Sequence, residues 1–148
     1  MSASPIEYRH EYVSGVVAVP LVGFPAVVLA QVSNRSETEG RARALVWVGG
    51  AIVLDTQDGL VEPQNVWSFE HVLVDEAIDP LPSISFRVQI FTTSPDLVPS
   101  VAFNETVRSD GEDQGFRESA YFAPGDFAVF PLHPSPVHRL PVGPSIAT

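Results

Sequence analysis

The side chains with the clearest chemical potential in this sequence are carboxylates that gather at three predicted turns. The clusters are Asp55 with Asp58, then Asp75 with Glu76 and Asp79, and finally Asp110 with Glu112 and Asp113. Calcium prefers several oxygen ligands on a flexible loop, so the last cluster (Asp110, Glu112 and Asp113) is a candidate calcium site. The alternative is a solvated polar turn, and a general acid–base pair also stays open because a sequence does not show spatial proximity.

Histidine chemistry and the common catalytic motifs give little support to an enzyme. His133 and His138 are the closest histidine pair, and they lie in a proline-rich stretch where a fixed zinc geometry would be hard to maintain. We therefore expect solvated side chains there. The sequence has no Gly-x-Ser-x-Gly elbow, phosphate-binding glycine loop, His-Glu-x-x-His motif or cysteine cluster. It predicts no enzyme, no catalytic residues and no cofactor.

Composition and charge narrow the class of protein. The formal net charge is −10 and all eight basic residues are arginines, so the clustered basic surface that nucleic-acid binding needs is not expected. There is no cysteine, which excludes disulfides and thiolate metal ligands. With 45% apolar and 18% charged residues, the chain has the composition of a globular domain with a packed core.

The N-terminal third raises the questions of export and membrane insertion. Residues 1–12 include Glu7, Arg9 and Glu11, which do not form the positively charged start of a classical signal peptide. Residues 13–33 carry no charge and are long enough to be considered for a membrane span. Prolines, a glycine and many valines within this run favour two core strands instead, so we expect no membrane span.

Farther along the chain, apolar residues recur at period two or in short runs between turn-forming clusters, a pattern typical of a sandwich or barrel. Gly49-Gly50 predicts a two-residue hairpin because such turns need positive φ. Residues 109–115, which are strongly polar, predict a hairpin loop. The predicted strands are Val16–Val19, Ala26–Val32, Arg41–Val48, Ala51–Asp55, Val66–Val74, Ile84–Thr92, Val98–Val107, Ala120–Phe122 and Phe127–Phe130. Val61–Pro63 predicts a short edge.

These elements predict a single all-β domain, an immunoglobulin-like antiparallel β-sandwich of about seven to nine strands. The aromatic residues Trp47, Trp67, Phe69 and Phe86 are assigned to the core. We expect an extended N-terminal arm at residues 1–12, the sandwich at residues 13–130 and a Pro-rich tail at residues 131–148, whose five prolines disfavour a central strand.

Four segments of this pattern resemble the small immunoglobulin-like modules of bacterial and phage surface proteins, including those of the CARDB type. The segments are Val27–Asn34, Ala44–Val48, Val61–Pro63 and Trp67–Phe69. In that family a strand ends in Asn, a second strand carries a glycine hairpin, and a Val-x-Pro edge leads into an aromatic strand. The resemblance covers about residues 26–93, and it implies a sandwich with a non-catalytic role.

The leading hypothesis for function is a structural subunit of a virion surface, for example a capsid decoration protein, that forms a homo-oligomer or binds other structural subunits. It rests on a sandwich without recognisable chemistry, an acidic surface, and two apolar or Pro-containing termini able to reach a neighbour. One alternative is an extracellular filament or adhesion module. A second alternative, from another class, is a small carbohydrate-binding module or hydrolase, which would need a concave site with convergent polar groups.

Overall fold

The computed structural model describes residues 6–14, 17–20, 26–74, 83–109 and 112–132, and these residues are mostly in β-strands. Besides a short 3-10 helix at Pro124–Asp126, the elements are β1 (His10–Val13), β2 (Val17–Pro20), β3 (Ala26–Asn34), β4 (Gly40–Val48), β5 (Ala51–Asp55), β6 (Gly59–Val61), β7 (Val66–Val74), β8 (Ser83–Thr92), β9 (Leu97–Ser109), β10 (Glu112–Phe122) and β11 (Ala128–Pro131). Within these described ranges, no helix has the length and apolar character that crossing a membrane requires.

The strands form two antiparallel sheets stacked as a sandwich. The larger sheet has the order β11-β1-β8-β4-β5, with β2 also beside β8 and β6 also beside β4. The smaller sheet has the order β10-β9-β3-β7. The prediction of an all-β antiparallel sandwich is confirmed, although the described residues hold eleven strands, more than the expected number of about seven to nine.

Consecutive described strands lie in opposite sheets at six places, and two of these crossings are adjacent to each other. β3 and β4 are consecutive in the chain but lie in opposite sheets, and the same is true of β7 and β8. β3 pairs with β7, while β4 pairs with β8. β3 and β7 are therefore neighbours in the smaller sheet, and the strands that follow them, β4 and β8, are neighbours in the larger sheet. This arrangement fixes the position of one sheet on the other.

Small and β-branched side chains fill the space between the sheets. On β4 the alternating residues Ala42, Ala44 and Val46 are fully buried, as the period-two pattern predicts. Phe86 of β8 stacks on Phe103 of β9 with ring centroids 5.2 Å apart. Each large apolar side chain buried in this way contributes about 1.5–3 kcal/mol to stability. The other fully enclosed apolar side chains include Val28, Ala30, Val32, Val61, Val88, Ile90, Leu97 and Val101.

The predicted hairpin between β4 and β5 is confirmed. Gly49 and Gly50 have φ values of 58° and 90°, both in the left-handed region. Two successive positive φ angles define the type I′ turn, whose twist matches that of the flanking strands. The turn brings Val48 opposite Ala51 and starts β5 along the edge of the larger sheet.

A buried asparagine organises the connection from β3 to β4. The Asn34 side-chain amide donates to the Thr38 carbonyl at 2.8 Å and to the Val61 carbonyl at 3.0 Å. Its oxygen accepts the backbone N–H of Ser36 at 2.9 Å and the Ser36 hydroxyl at 2.8 Å. Because a buried amide is costly when unsatisfied, these bonds fix the turn and tie β6 to the end of β3.

Two segments form more strand than the sequence pattern indicates. β1 begins at His10, inside the segment predicted to be an arm, and it pairs with both β8 and β11. β9 extends to Ser109 and β10 starts at Glu112, so Ser109, Glu112 and Asp113 of the segment predicted as a loop are paired in the ladder. In both cases pairing with a neighbouring strand outweighs local polarity, since strand preference depends on context. β11 likewise includes Pro131, the first residue of the predicted tail, and residues 133–148 lie outside the described residues.

Gly59 allows β6 to approach the Trp67 ring of β7, and this contact gives a stability test. A Cβ at residue 59 would lie 2.5 Å from two atoms of that ring. We expect Gly59→Ala to lower the free energy of unfolding by about 1–3 kcal/mol, the usual cost of overpacking. Gly125→Ala is the matched control, because a Cβ there meets nothing within 4 Å. Urea denaturation of both variants measures the difference, and equal stabilities would contradict the contact.

Candidate functional site at the outer face and sheet edges

The calcium site suggested at Asp110, Glu112 and Asp113 stays a prediction. Asp110 lies outside the described residues, whereas Glu112 and Asp113 open β10 opposite Ser109 and Arg108. Among the described residues, no group of three or more histidine or acidic side chains is placed to hold a metal ion. Two further predicted groups fall outside the description, namely the acidic cluster at 75–79 and the histidines at 133 and 138.

A second apolar cluster covers the outer face of the larger sheet. Tyr8, Leu45 and Phe91 are buried there, with Tyr8 edge-on to Phe91 at 6.1 Å between ring centroids. Ile6 and Leu132 pack against this group. The first and the last of the described residues therefore lie on the same face of the sheet. The cluster therefore holds Ile6 and Tyr8 against the sheet.

Trp47, which the sequence assigns to the core, belongs to this outer cluster. Phe86 is buried between the sheets, and Trp67 and Phe69 pack against the core there, as expected. Trp47 instead faces the other way on β4, next to Ile52 and the Tyr8 group. The period-two pattern of β4 contains the signal for this, since residues 43, 45 and 47 alternate with the core-facing residues.

Polar groups secure the same outer face. The Tyr8 hydroxyl donates to an Asp58 carboxylate oxygen, and burial together with this carboxylate raises the pKa of Tyr8. Arg43 binds Asp55 with both ends of its guanidinium, at 2.9 Å from Nε and 2.5 Å from Nη2. Both side chains of this ion pair are only 5% exposed. Asp55 and Asp58, which the sequence groups in one acidic cluster, thus make different contacts. Asp55 binds Arg43, and Asp58 accepts a hydrogen bond from the Tyr8 hydroxyl.

Burial by itself would raise the pKa of Asp55. Hydrogen bonds from Arg43 and from the backbone N–H of Gln57, with the charge of Arg43, outweigh burial and hold this pKa below its ordinary value. The hydrogen bond to Asp55 likewise raises the pKa of Arg43. The pair is ionised at neutral pH, and its geometry closes the turn after β5.

A row of polar contacts crosses β1, β8 and β4. Trp47 donates from Nε1 to Gln89 at 2.6 Å, and Gln89 donates from Nε2 to Glu11 at 2.7 Å. The Arg87 guanidinium lies 4.5 Å from the centre of the Trp47 ring, a cation–π contact. A hollow of about 390 Å³ lies beside this contact, lined by Trp47, Gly49, Gly50, Ser85, Phe86 and Arg87. This lining offers apolar packing, the hydroxyl of Ser85 and one cation, the guanidinium of Arg87.

Glu105 is a carboxylate on the inner face of the smaller sheet. It follows Val101 and Phe103 on β9, in the alternation that the sequence shows, and its side chain is fully buried. A fully buried glutamate is uncommon in protein interiors. Among the described residues, Glu105 belongs to no group of three or more side chains placed to hold a metal ion.

The edge strand β11 presents apolar side chains to solvent. All four of its residues are exposed, with Val129 at 47% and Phe130 at 50%. β11 pairs with β1 alone among the described strands, and the Leu132 N–H donates to the Arg9 carbonyl at 2.7 Å. Since backbone groups alternate along an antiparallel strand, Val129 and Pro131 must point their backbone away from β1. Proline has no N–H, so Pro131 blunts this edge against strand addition.

Two other edges are irregular. On β5, Trp47 pairs with Ile52 and Val46 with Leu54, so Val53 is an extra, bulged residue. β10 shows register shifts at two places along its pairing with β9. Bulges increase local twist and discourage pairing with another strand, which is a common protection of sheet edges.

Comparison of the sequence with protein-family models, with curated proteins and with solved structures finds no match. The function is therefore assessed from the surfaces themselves. These surfaces are an anchored outer face, a shallow hollow beside the Gly49-Gly50 hairpin, and sheet edges that differ in how they are protected.

The Arg43–Asp55 pair predicts a specific pH dependence of stability. Because the folded-state pKa of Asp55 lies below the unfolded value, its contribution is present above about pH 4 and is lost as pH falls through the folded pKa. Asp55→Asn leaves a buried guanidinium without its charged partner and should cost about 3 kcal/mol at pH 7. Its stability should also fall less than that of the unmodified protein between pH 5 and about pH 3.

Urea denaturation at a series of pH values measures this difference. The control is Glu39→Gln, which changes an exposed carboxylate and should leave both the stability and its pH dependence almost unchanged. An acid-side stability curve for Asp55→Asn that runs parallel to that of the unmodified protein would show that the ion pair contributes nothing.

Proposed function

We propose that this chain is a non-catalytic structural subunit of a virion surface, either a capsid decoration protein or another surface subunit, that joins neighbouring subunits through its terminal strands. The observation that carries the proposal is β11, which is held at the sheet edge by β1 and leaves its apolar side chains open to solvent. Its large apolar residues, Val129 and Phe130, are about half exposed. Exposed apolar side chains on an edge strand are open to contact with a neighbouring chain.

The geometry of β11 favours contact through side chains. Val129 lies opposite Tyr12 and Phe130 opposite Glu11, so successive residues project from opposite faces of the sheet. A partner that covers both side chains must therefore contact the edge strand on both faces of the sheet. Pro131 limits backbone pairing at the same edge, so side-chain packing has to supply the contact.

The charge of the chain supports an assembly held by apolar contacts. At a net charge of −10, two copies repel each other at long range. Added salt screens this repulsion and strengthens apolar association, so self-association should increase with ionic strength. A contact built mainly on ion pairs would show the opposite dependence.

Removing the apolar contact at β11 should weaken association without unfolding the domain. We expect Phe130→Ser to shift the chain toward monomer, because half of this ring is already exposed and little core packing is lost. Val53→Ser is the matched control, since Val53 is 43% exposed on the opposite edge of the same sheet. Light scattering after size-exclusion chromatography gives the mass, and circular dichroism shows whether the fold is kept.

A monodisperse monomer at every protein and salt concentration would contradict the proposal, and so would an equal loss of association in both variants. Electron microscopy of the purified chain separates the virion setting from its nearest alternative. Discrete oligomers of defined size agree with the proposal, whereas long polymers of the chain alone would favour an extracellular filament.

A further inference from the structure

β7 is a second sheet edge, since β3 is its only neighbour among the described strands. The Asn34 N–H donates to the Asn65 carbonyl at 2.9 Å just before β7 begins. The register pairs Val32 with Trp67 and Ala30 with Phe69, so the odd-numbered residues of β7 bond to β3. The even-numbered residues must then direct their backbone N–H and C=O groups away from the sheet. These residues are Val66, Ser68, Glu70 and Val72.

Of the four strands that end the two sheet orders (β11, β5, β10 and β7), β7 has neither a proline nor a register shift between Val66 and Val72. β11 is blunted by Pro131, β5 bulges at Val53, and β10 changes register twice. In β7 the pairing with β3 is regular from Val66 to Val72, and the single irregularity comes after Val72. The strand contains no proline or lysine, the residues that commonly protect an edge.

The side chains beside this open backbone are unusually apolar for a solvent-facing row. Val66 is 56% exposed and Val72 is 44% exposed, at the two ends of the regular stretch. Ser68 and Glu70 lie between them, and Glu70 is the only charge in the row. An exposed, regular edge with apolar side chains is a predicted site of pairing with another strand.

We propose that the partner at this edge is a second copy of the chain, with β7 pairing antiparallel to its own copy across a two-fold axis at Phe69. In this register Val66 faces Val72 of the other copy, and Ser68 faces Glu70. Each of these pairs exchanges two backbone hydrogen bonds, because both residues direct their backbone groups outward. The two smaller sheets then form one continuous sheet.

The sequence of the row favours self-pairing in this register. The valines cover each other, and each Glu70 carboxylate meets a serine hydroxyl that can donate a hydrogen bond. Sliding the strands by two residues in one direction puts Glu70 opposite Glu70, and like charges directly opposite are destabilising. Sliding in the other direction puts Ser68 opposite itself and leaves Val72 uncovered. The centred register is the one that uses all four outward residues.

This pairing rests on the proposed assembly role and adds a second surface to it. β7 lies in the smaller sheet, whereas β11 lies in the larger sheet. One surface that pairs across a two-fold axis and another that packs on a neighbour connect each subunit to more than one other. Weak contacts used together in this way give a strong lattice.

The lack of cysteine makes the register directly testable by cross-linking. In the centred register, residue 68 of one copy lies opposite residue 70 of the other. Their Cα atoms are then about 5.5 Å apart, a separation that a disulfide bridges. An air-oxidised mixture of Ser68→Cys and Glu70→Cys chains should form a covalent dimer. Either variant alone should not, since each residue is displaced from its own copy along the strand. A mixture of Glu70→Cys with Val53→Cys is the control.

Each result of this experiment decides something. Dimer in the Ser68→Cys and Glu70→Cys mixture alone supports the pairing, whereas dimer from Glu70→Cys by itself overturns the register. If no mixture cross-links but the unmodified chain associates and Phe130→Ser abolishes association, then β7 pairing is wrong while the assembly role stands. If the unmodified chain is a monomer throughout and no mixture cross-links, both proposals fail.

A charge series at residue 68 tests the same contact without a covalent bond. Ser68→Glu places a carboxylate opposite Glu70 and should shift the chain toward monomer, whereas Ser68→Arg places a cation there and should shift it toward dimer. Sedimentation velocity of both variants measures the masses. Equal behaviour of the two variants would overturn the proposed register.

Discussion

A strand at the end of a β-sheet leaves every second backbone N–H and C=O group without a partner in the ladder, and this sandwich has to accommodate such groups at both ends of each sheet. Three of these edges carry recognisable protection: a proline on β11, a bulge on β5 and register shifts on β10. β7 carries none of these devices over its regular stretch. The contrast gives the molecule one edge suited to strand pairing and another suited to side-chain contact.

The N-terminal strand couples the fold to the proposed contact surface. β1 lies between β8 and β11, and its Tyr12 packs edge-on to Phe127 at 6.2 Å between ring centroids. β11 has no other described neighbour in the sheet, so its position depends on β1. Tyr8 and the Arg43–Asp55 pair in turn fasten the segment before β1 and the turn after β5 on the same outer face. A loss of this anchoring would therefore remove the edge as well as destabilise the sheet.

The parts of this fold that follow from local pattern could be predicted from the sequence. Period-two alternation located β3, β4, β7 and β8, and two adjacent glycines located the type I′ turn, because both signals lie within a few residues. β1 could not be recognised in this way, because a short strand is stabilised by the neighbours that it joins. The burial of Tyr8 depends on Leu45 and Phe91, which are far away in the chain.

The edge positions illustrate the same limit more sharply. Whether β7 or β9 is the outer strand of its sheet is decided by pairing order, which no local pattern contains. Once the pairing order is known, Pro131 on β11 and the valines of β7 can be interpreted as edge residues. For the candidate calcium cluster at residues 110–113 the structure adds no comparable information, so the site stays a prediction from composition.

Amide hydrogen exchange of β7, followed by NMR at increasing protein concentration, tests the central claim most directly. At low concentration the amides of Trp67, Phe69 and His71 should be protected by β3, while those of Ser68 and Glu70 exchange freely. Pairing of two copies should bring the exchange of the second group toward that of the first as concentration rises. If the amides of Ser68 and Glu70 exchange freely at every concentration while the chain associates, the open edge is not the place where subunits meet.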